Sequence, residues 1–319
     1  MNIPFLLYSG EETNANFIYF SGLGMKLYDH SFIFIDEKKK ILIVSKMNYK
    51  LARENYSGKI EVYGDLKRIL AKLLKGRKVG IDGENINVKM HNFIKKFCRT
   101  EDVSEELIKQ RTVKKDFEIT KLKKAAEISR EIINSVELKK FKTEKEIEKY
   151  LLRETIEKEL EPAFKPIVAS GKNSSFPHYT PRDYKLKNVV LVDYGVKYQG
   201  YCGDVSRCFF LSKGPWEKDY ETAEQIAYEI ADESKNCEFA KELSEFTDKL
   251  YKKYKLPEQM HSLGHGIGLE VHESPSFGKK SKDRIKNTVF TIEPGIYRKN
   301  WGARFEEMFY FNGRSTKRL

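Results

Sequence analysis

The sequence predicts an α/β (α+β) fold in two domains, residues 1–110 and 111–319. Three observations carry this expectation. The first hundred or so residues alternate short apolar runs with charged turns. Residues 99–117 are polar, with Arg99-Thr100-Glu101-Asp102 and Arg111-Thr112-Val113-Lys114-Lys115-Asp116, and read as a boundary. Beyond them, helical stripes and strand-like runs follow one another to the end. At 319 residues the chain is long enough for two domains with cores of their own.

In the first domain, Phe17-Ile18-Tyr19-Phe20, Ser31–Ile35 and Lys40–Val44 read as strands. The last two are parted by Asp36-Glu37-Lys38-Lys39 and suit a hairpin. Leu66 to Leu74 has helical spacing, and Lys78–Asp82 closes with a strand and a turn. His30 and His91 stand apart from any catalytic cluster and read as surface or structural. The second domain opens with a helical stripe of Ile119, Leu122, Ala125, Ala126, Ile128, Ile132, Ile133 and Val136. Thr143-Glu144-Lys145-Glu146 has the form of a capping box for the next helix. Further helices are expected over about Tyr220–Asp232 and Phe239–Tyr254. Val189–Val192, Arg207–Leu211, Val289–Ile292 and Met308–Phe311 read as strands. This order suggests one internally paired sheet covered by helices on one side.

Composition excludes several classes. Hydrophobic content of 40 % with 33 % charged residues reads as soluble and globular. No run reaches the ~18 apolar residues of a membrane span. The start lacks the basic region of a signal peptide, which points to the cytoplasm. Cys98, Cys202, Cys208 and Cys237 form no CxxC pair, so a reduced interior is expected. The net charge of +12 is spread: 22 basic against 16 acidic residues in 1–118, and 37 against 31 in the rest. That distribution leaves no basic tail, and no specific nucleic-acid partner is expected.

The chemistry lies in the second domain. Asp193 ends the apolar run Val189–Val192, where a carboxylate must be paired or metal-bound. Asp204 follows eleven residues later, a spacing that suits a hairpin with both carboxylates facing one cavity. Glu293 precedes Pro294-Gly295, which ends its strand, and Glu306 lies just before another. Arg304, two residues before Glu306, would point to the same face of a strand. The glycine-rich stretch from His261 to Glu273 holds His261, His265 and His272, and its glycines allow close backbone approach to a ligand. It is not the HExxH of zincins. His178, beside Pro177, is a fourth candidate histidine. Hard, oxygen-rich donors with one imidazole, namely Asp193, Asp204, His265, Glu293 and Glu306, suit two divalent ions held close together. Cys202 and Cys208 lie near Asp204, but the neighbouring donors are oxygen-type.

These motifs resemble those of the creatinase and methionine-aminopeptidase superfamily, the pita-bread metallopeptidases. The likeness is greatest to the Xaa-Pro dipeptidases (prolidases) and Xaa-Pro aminopeptidases. It covers residues from about 110 to 314, and Ala15–Gly22 resembles part of a shortened creatinase-type N-terminal domain. The resemblance implies a creatinase-type domain over 1–110 and a pita-bread catalytic domain over 111–319. It also implies metal ligation by Asp193, Asp204, His265, Glu293 and Glu306, with Asp204 and Glu306 bridging two ions of manganese, cobalt or zinc. Glu293, His178 and His272 would serve catalysis, and His178, His261, His272 and Arg304 would bind substrate. Phe176, Tyr179 and Tyr201 are candidates for a hydrophobic wall beside a proline ring. The implied substrates are short proline-containing peptides, and homodimers are common in the family. Dipeptidase activity is favoured. Xaa-Pro aminopeptidase, methionine aminopeptidase-like enzyme and non-catalytic pita-bread binding protein are the alternatives. The intact ligand set argues against the last.

Overall fold

The computed structural model describes residues 3–11, 13–23, 28–37 and 39–319. The chain forms two compact units, Met1–Arg111 and Thr112–Leu319. The first unit contains strands β1 (Phe5–Ser9), β2 (Ser31–Asp36), β3 (Lys39–Ser45), β4 (Lys59–Tyr63), β5 (Lys78–Ile81) and β6 (Arg99–Asp102). They form one mixed sheet in the order β4-β3-β2-β1-β5-β6. The expected hairpin is β2–β3, paired antiparallel from Phe32↔Ile43 to Asp36↔Lys39. The helices are α1 (Ala15–Ser21), α2 (Tyr49–Asn55), α3 (Leu66–Leu74), α4 (Val88–Ile94) and α5 (Ser104–Thr112). Alternate strand residues enter two cores. Phe5, Leu7, Ile33 and Leu42 pack with Phe17, Ala52 and Leu107, whereas Leu6, Phe32, Phe34 and Ile41 pack with Leu70, Leu74 and Ile94. Burial on both faces explains why these strands are continuously apolar.

One strand expectation fails here. Phe17–Phe20 belongs to helix α1, not to a strand. Asn14 accepts from the Phe17 N–H at 2.9 Å, and Gly22 closes the helix at φ 72°. A side-chain N-cap and a left-handed C-cap outweigh the strand preference of four large residues. The boundary stretch is also more ordered than its polarity suggests, since it contains β6 and α5.

The second unit begins with α6 (Asp116–Asn134) and α7 (Glu144–Glu157). Thr143 Oγ1 accepts from the Glu146 N–H at 3.3 Å, while the Glu146 carboxylate accepts from the Lys142 N–H at 2.6 Å. The expected reciprocal box is therefore offset by one residue. Strands β7 (Glu161–Pro162), β8 (Ile167–Ser170), β9 (Val189–Tyr194), β10 (Val196–Tyr198), β11 (Tyr201–Cys202) and β12 (Val205–Phe210) follow. Next come α8 (Pro215–Glu233) and α9 (Ala240–Lys253). Strands β13 (His265–Gly266), β14 (Glu273–Ser276), β15 (Thr288–Ile292), β16 (Gly295–Tyr297), β17 (Gly302–Arg304), β18 (Glu307–Phe311) and β19 (Thr316–Arg318) complete the unit.

The single sheet expected for this unit is divided into smaller ones: β11-β10-β7, β12-β9-β8, β14-β13-β15-β18-β19 and the pair β16-β17. Between the β12 and β18 regions the backbone pairing is reduced to the isolated bridge Ser206↔Glu306 among the described residues. The breaks have local causes. Pro294 has no N–H to donate, and the strand ladders are interrupted at Gly195 and Gly203. The pair α6–α7 packs Ile128, Ile132, Ile147 and Leu151 on Val168, Val190, Val192 and Val205. The pair α8–α9 packs Ile226, Ile230, Leu243 and Leu250 on Phe290, Ile292 and Phe309. The opposite face of β9, Val189 and Leu191, packs on Ala303 and Trp301. By the two-residue pleat Asp193 shares that face, away from α6 and α7.

The close approach of the backbone at these two glycines leaves no room for a side chain. A Cβ on Gly195 would sit 1.7 Å from the Gly203 carbonyl oxygen. Gly195→Ala is therefore expected to destabilise the protein by about 1–3 kcal/mol and to reduce its capacity for divalent metal. Denaturant melts and metal titration of the same preparation check both.

Candidate metal centre

Each candidate ligand stands at or just beyond a strand end. Asp193 lies in β9, opposite Ser206 of β12. Asp204 directly precedes β12, after the small β10–β11 hairpin, so the expected hairpin is present with a second one inserted into it. His265 opens β13, where its N–H donates to Thr291 Oγ1 at 3.2 Å. Gly264 permits this approach, because a Cβ there would lie 2.1 Å from the Thr291 carbonyl oxygen. Glu293 follows β15 and is held by its N–H to the Leu263 carbonyl at 2.8 Å. Glu306 lies between β17 and β18, with its N–H 3.3 Å from the Ser206 carbonyl oxygen.

These positions bring the side chains together. Asp204, His265 and Glu306 each offer one donor atom, all within 4.8 Å of one another. His265 Nε2 is 3.5 Å from Asp204 Oδ2 and 3.9 Å from Glu293 Oε1. His265 Nδ1 lies 3.1 Å from the Gly266 carbonyl, which can only accept. The proton therefore sits on Nδ1, and the Nε2 lone pair faces the carboxylates. Asp193 Oδ2 accepts from Arg304 Nη2 at 2.6 Å. Arg304 Nε also donates to Ser206 Oγ at 3.0 Å, and that hydroxyl donates to Glu306 Oε2 at 2.8 Å.

The electrostatics call for positive charge. Burial, and then Asp193 and Glu293, hold the Asp204 carboxyl well above the usual carboxylate range. Burial, and then Asp204, Glu293 and Asp193, do the same to Glu306. Burial pushes Glu293 up to about 7, with Arg304 and His265 opposing the shift. Asp193 Oδ1 is buried and accepts no hydrogen bond from the described residues. An orphaned carboxylate oxygen beside three carboxylates and an imidazole lone pair fits divalent metal, with hard oxygen donors predominating.

Of the remaining candidates, His261 and His272 adjoin the cluster. His261 Nδ1 is 2.8 Å from the Ser262 carbonyl and 3.5 Å from Glu293 Oε2. His261 Nε2 is 2.9 Å from the Tyr297 hydroxyl, which accepts from Arg304 Nη1 at 3.0 Å. Burial, and then Arg304, push His261 down to about 4, so its ring is neutral and Tyr297 donates to Nε2. His272 is exposed, its ring centroid 4.3 Å from that of His265. Burial, followed by His265 and His178, lowers its pKa. His178 is exposed on the segment after Phe176.

Sequence reasoning missed Ser206 and Tyr297. Ser206 lies two residues beyond Asp204, hence on the same strand face, and this was the available signal. Tyr201 does not form a pocket wall. It is buried, and its hydroxyl donates to Glu118 Oε1 at 3.1 Å. Phe176 is exposed, and the Tyr179 hydroxyl is engaged by Glu144. Burial raises the thiols of Cys202 and Cys208 to about 12, which keeps both protonated and poor metal donors.

Raised carboxyl pKa values mean that the metal-free fold gains stability from protonated Asp204 and Glu306 at acid pH. That contribution is lost as pH rises through their folded pKa values. Metal must displace those protons. The rise in melting temperature on adding a divalent ion to chelator-treated protein is expected to be small at pH 5.5 and larger at pH 8. Thermal melts at the two pH values check this.

A family model for metallopeptidase family M24 matches residues 120–312, and one for the creatinase/prolidase N-terminal domain matches residues 6–113. An uncharacterised peptidase of Methanocaldococcus jannaschii is 32% identical over 320 residues, covering 95% of this chain and 88% of the relative. The Xaa-Pro dipeptidase of Pyrococcus furiosus is 30% identical, covering 96% of this chain and 90% of the relative. The crystal structure of an X-Pro aminopeptidase from Thermotoga maritima superposes with a TM-score of 0.85 at 27% identity, covering 99% of this chain and 92% of that one. With an α/β N-terminal unit, a pita-bread-type second unit and a buried Asp–His–Glu metal cluster, the chain belongs to metallopeptidase family M24.

Proposed function

We propose that this metallopeptidase uses two divalent ions to hydrolyse the Xaa-Pro bond of dipeptides or short peptides. The observation that carries the reading is the convergence of Asp204, His265 and Glu306 within 4.8 Å, beside the orphaned Asp193 oxygen. The similarity to a Pyrococcus furiosus Xaa-Pro dipeptidase supports the substrate class. Asp204 and Glu306 would be shared between the ions, Asp193 would serve one, and His265 and Glu293 the other. Manganese, cobalt and zinc all suit this donor set. When bound, the ions supply an activated water and polarise the scissile carbonyl.

The protein's own groups then move protons and hold the substrate. Glu293 takes the proton of the attacking water and passes it to the proline nitrogen. His272 and His178 donate hydrogen bonds to the oxyanion that develops. His261 and Arg304, joined through Tyr297, hold the substrate and the carboxylates in place. A tertiary proline amide has no N–H, so recognition rests on ring shape and on the carboxylate or carbonyl that follows it. On this reading residues 111–319 catalyse. We propose further that the protein is a cytoplasmic homodimer. The structural likeness to the Thermotoga maritima X-Pro aminopeptidase favours a second reading, in which longer peptides are cut at the same bond.

Asp204→Asn or Glu306→Gln is expected to abolish Xaa-Pro cleavage and lower bound metal while circular dichroism retains the native signal. Full activity in either variant overturns the ligand assignment. Glu293→Gln is expected to lower kcat by about 10²–10⁴-fold, measured on metal-reloaded protein. Comparing kcat/KM for Ala-Pro with Ala-Pro-Ala separates the two readings. Dipeptidase action predicts preference for Ala-Pro, and aminopeptidase action the reverse.

A further inference from the structure

Glu144 lies outside the metal cluster, at the start of α7, and is wholly buried. A carboxylate in that position needs donors. Its two oxygens accept four hydrogen bonds, all from one segment, residues 170–182. The Ser170 N–H (2.8 Å) and Asn173 Nδ2 (3.0 Å) donate to Oε1. The Tyr179 hydroxyl (2.9 Å) and the Arg182 N–H (3.3 Å) donate to Oε2. Backbone bonds join the same regions. Glu144 N–H donates to the Tyr184 carbonyl and Lys145 N–H to the Arg182 carbonyl, both at 3.1 Å.

The other side of the segment faces the hairpin that supplies Arg304. Ser174 Oγ accepts from the Gly302 N–H at 2.9 Å, and the Pro177 carbonyl accepts from Arg304 Nη1 at 3.2 Å. His178 follows Pro177. Its ring is exposed, and no hydrogen bond from the described residues holds it. The position of that imidazole is therefore set by the backbone of 170–182, which is anchored at one side by Glu144 and at the other by Arg304 and Gly302.

We infer that Glu144 is a positioning residue for the peptidase reaction: through four hydrogen bonds to residues 170–182 it holds His178 next to the Pro177 carbonyl that Arg304 bonds. The inference rests on the assignment of His178 to the substrate pocket. Among the described residues the Glu144 carboxylate makes no hydrogen bond or ion pair to the metal-ligand candidates or Arg304, and its bonds all go to the segment. Glutamine has the same shape, but its NH2 would face two donors where an acceptor is required.

The test uses Glu144→Gln in the full-length, metal-loaded protein, alone and combined with His178→Ala. Expected are unchanged metal stoichiometry, a fall in kcat for Ala-Pro of about tenfold in the wild-type background, and less than twofold in the His178→Ala background, the non-additivity of residues acting as a unit. Tyr179→Phe, which removes one donor, is expected to lower kcat about threefold with the same non-additivity, and it carries the test if Glu144→Gln does not fold. Unchanged kcat, or losses that add fully to those of His178→Ala, overturn the inference. Hydrogen exchange gives a readout independent of turnover. Exchange in 170–182 is expected to rise in Glu144→Gln while that in 189–210 stays constant, and equal exchange in both forms overturns the anchoring role. Failure of the wild-type protein to cut any Xaa-Pro peptide sinks the peptidase reading, and the exchange result then decides the anchor alone.

Discussion

The second unit is organised around one constraint: three buried carboxylates and a partly buried fourth stand in one place. Two like charges ~4 Å apart repel by about 4 kcal/mol at an effective dielectric near 20. Several such pairs cannot remain ionised beside a single guanidinium. Protons can relieve the repulsion, which is the meaning of the raised pKa values of Asp204, Glu293 and Glu306. Divalent cations relieve it more completely. Arg304 supplies the fixed part of the compensation, bonded to Asp193, Ser206, Tyr297 and the Pro177 carbonyl. It lies 3% exposed, a depth at which an unpaired cation would be untenable.

The same constraint accounts for the broken sheets. A carboxylate in the middle of a regular ladder would point into a packed core or into water. Here Asp204, Glu293 and Glu306 all stand where a ladder stops; the Glu293 and Glu306 N–H groups donate to carbonyls of neighbouring segments, and that of Asp204 to Met308 Sδ. Glycine makes the crowding possible at Gly195, against the Gly203 carbonyl, and at Gly264, against that of Thr291. The apolar packing beneath these points, on α6–α7 and on α8–α9, gives the loose ends a rigid base.

The histidines divide according to their hydrogen bonds. His265 gives its Nδ1 proton to a carbonyl and turns a lone pair to the carboxylates. His261 is neutral and closes the chain Arg304–Tyr297–His261–Ser262. His178 and His272 are exposed to solvent, unlike the other two. Membership of metallopeptidase family M24 agrees with this arrangement of buried donors and peripheral imidazoles.

Much was legible in the sequence because it is local. Runs such as Val189–Val192 and Val289–Ile292 announce buried strands, and a carboxylate at the end of each asks for a partner. The stripe from Ile119 to Val136 announces a helix for the same reason. Phe17–Phe20 was misread because its four residues favour a strand, while the Asn14 cap and Gly22 stop lie just outside them. The division into several sheets, and the parts played by Ser206, Tyr297 and Glu144, depended on partners distant in the chain. Ser206 meets Glu306 100 residues away, and Glu144 meets Tyr179 35 residues away. Periodicity and composition determined which segments fold and which residue types could bind metal. Only the tertiary structure decided which of those donors share one buried volume, because hydrogen bonds and electrostatic repulsion depend on distance in space, which linear spacing does not carry.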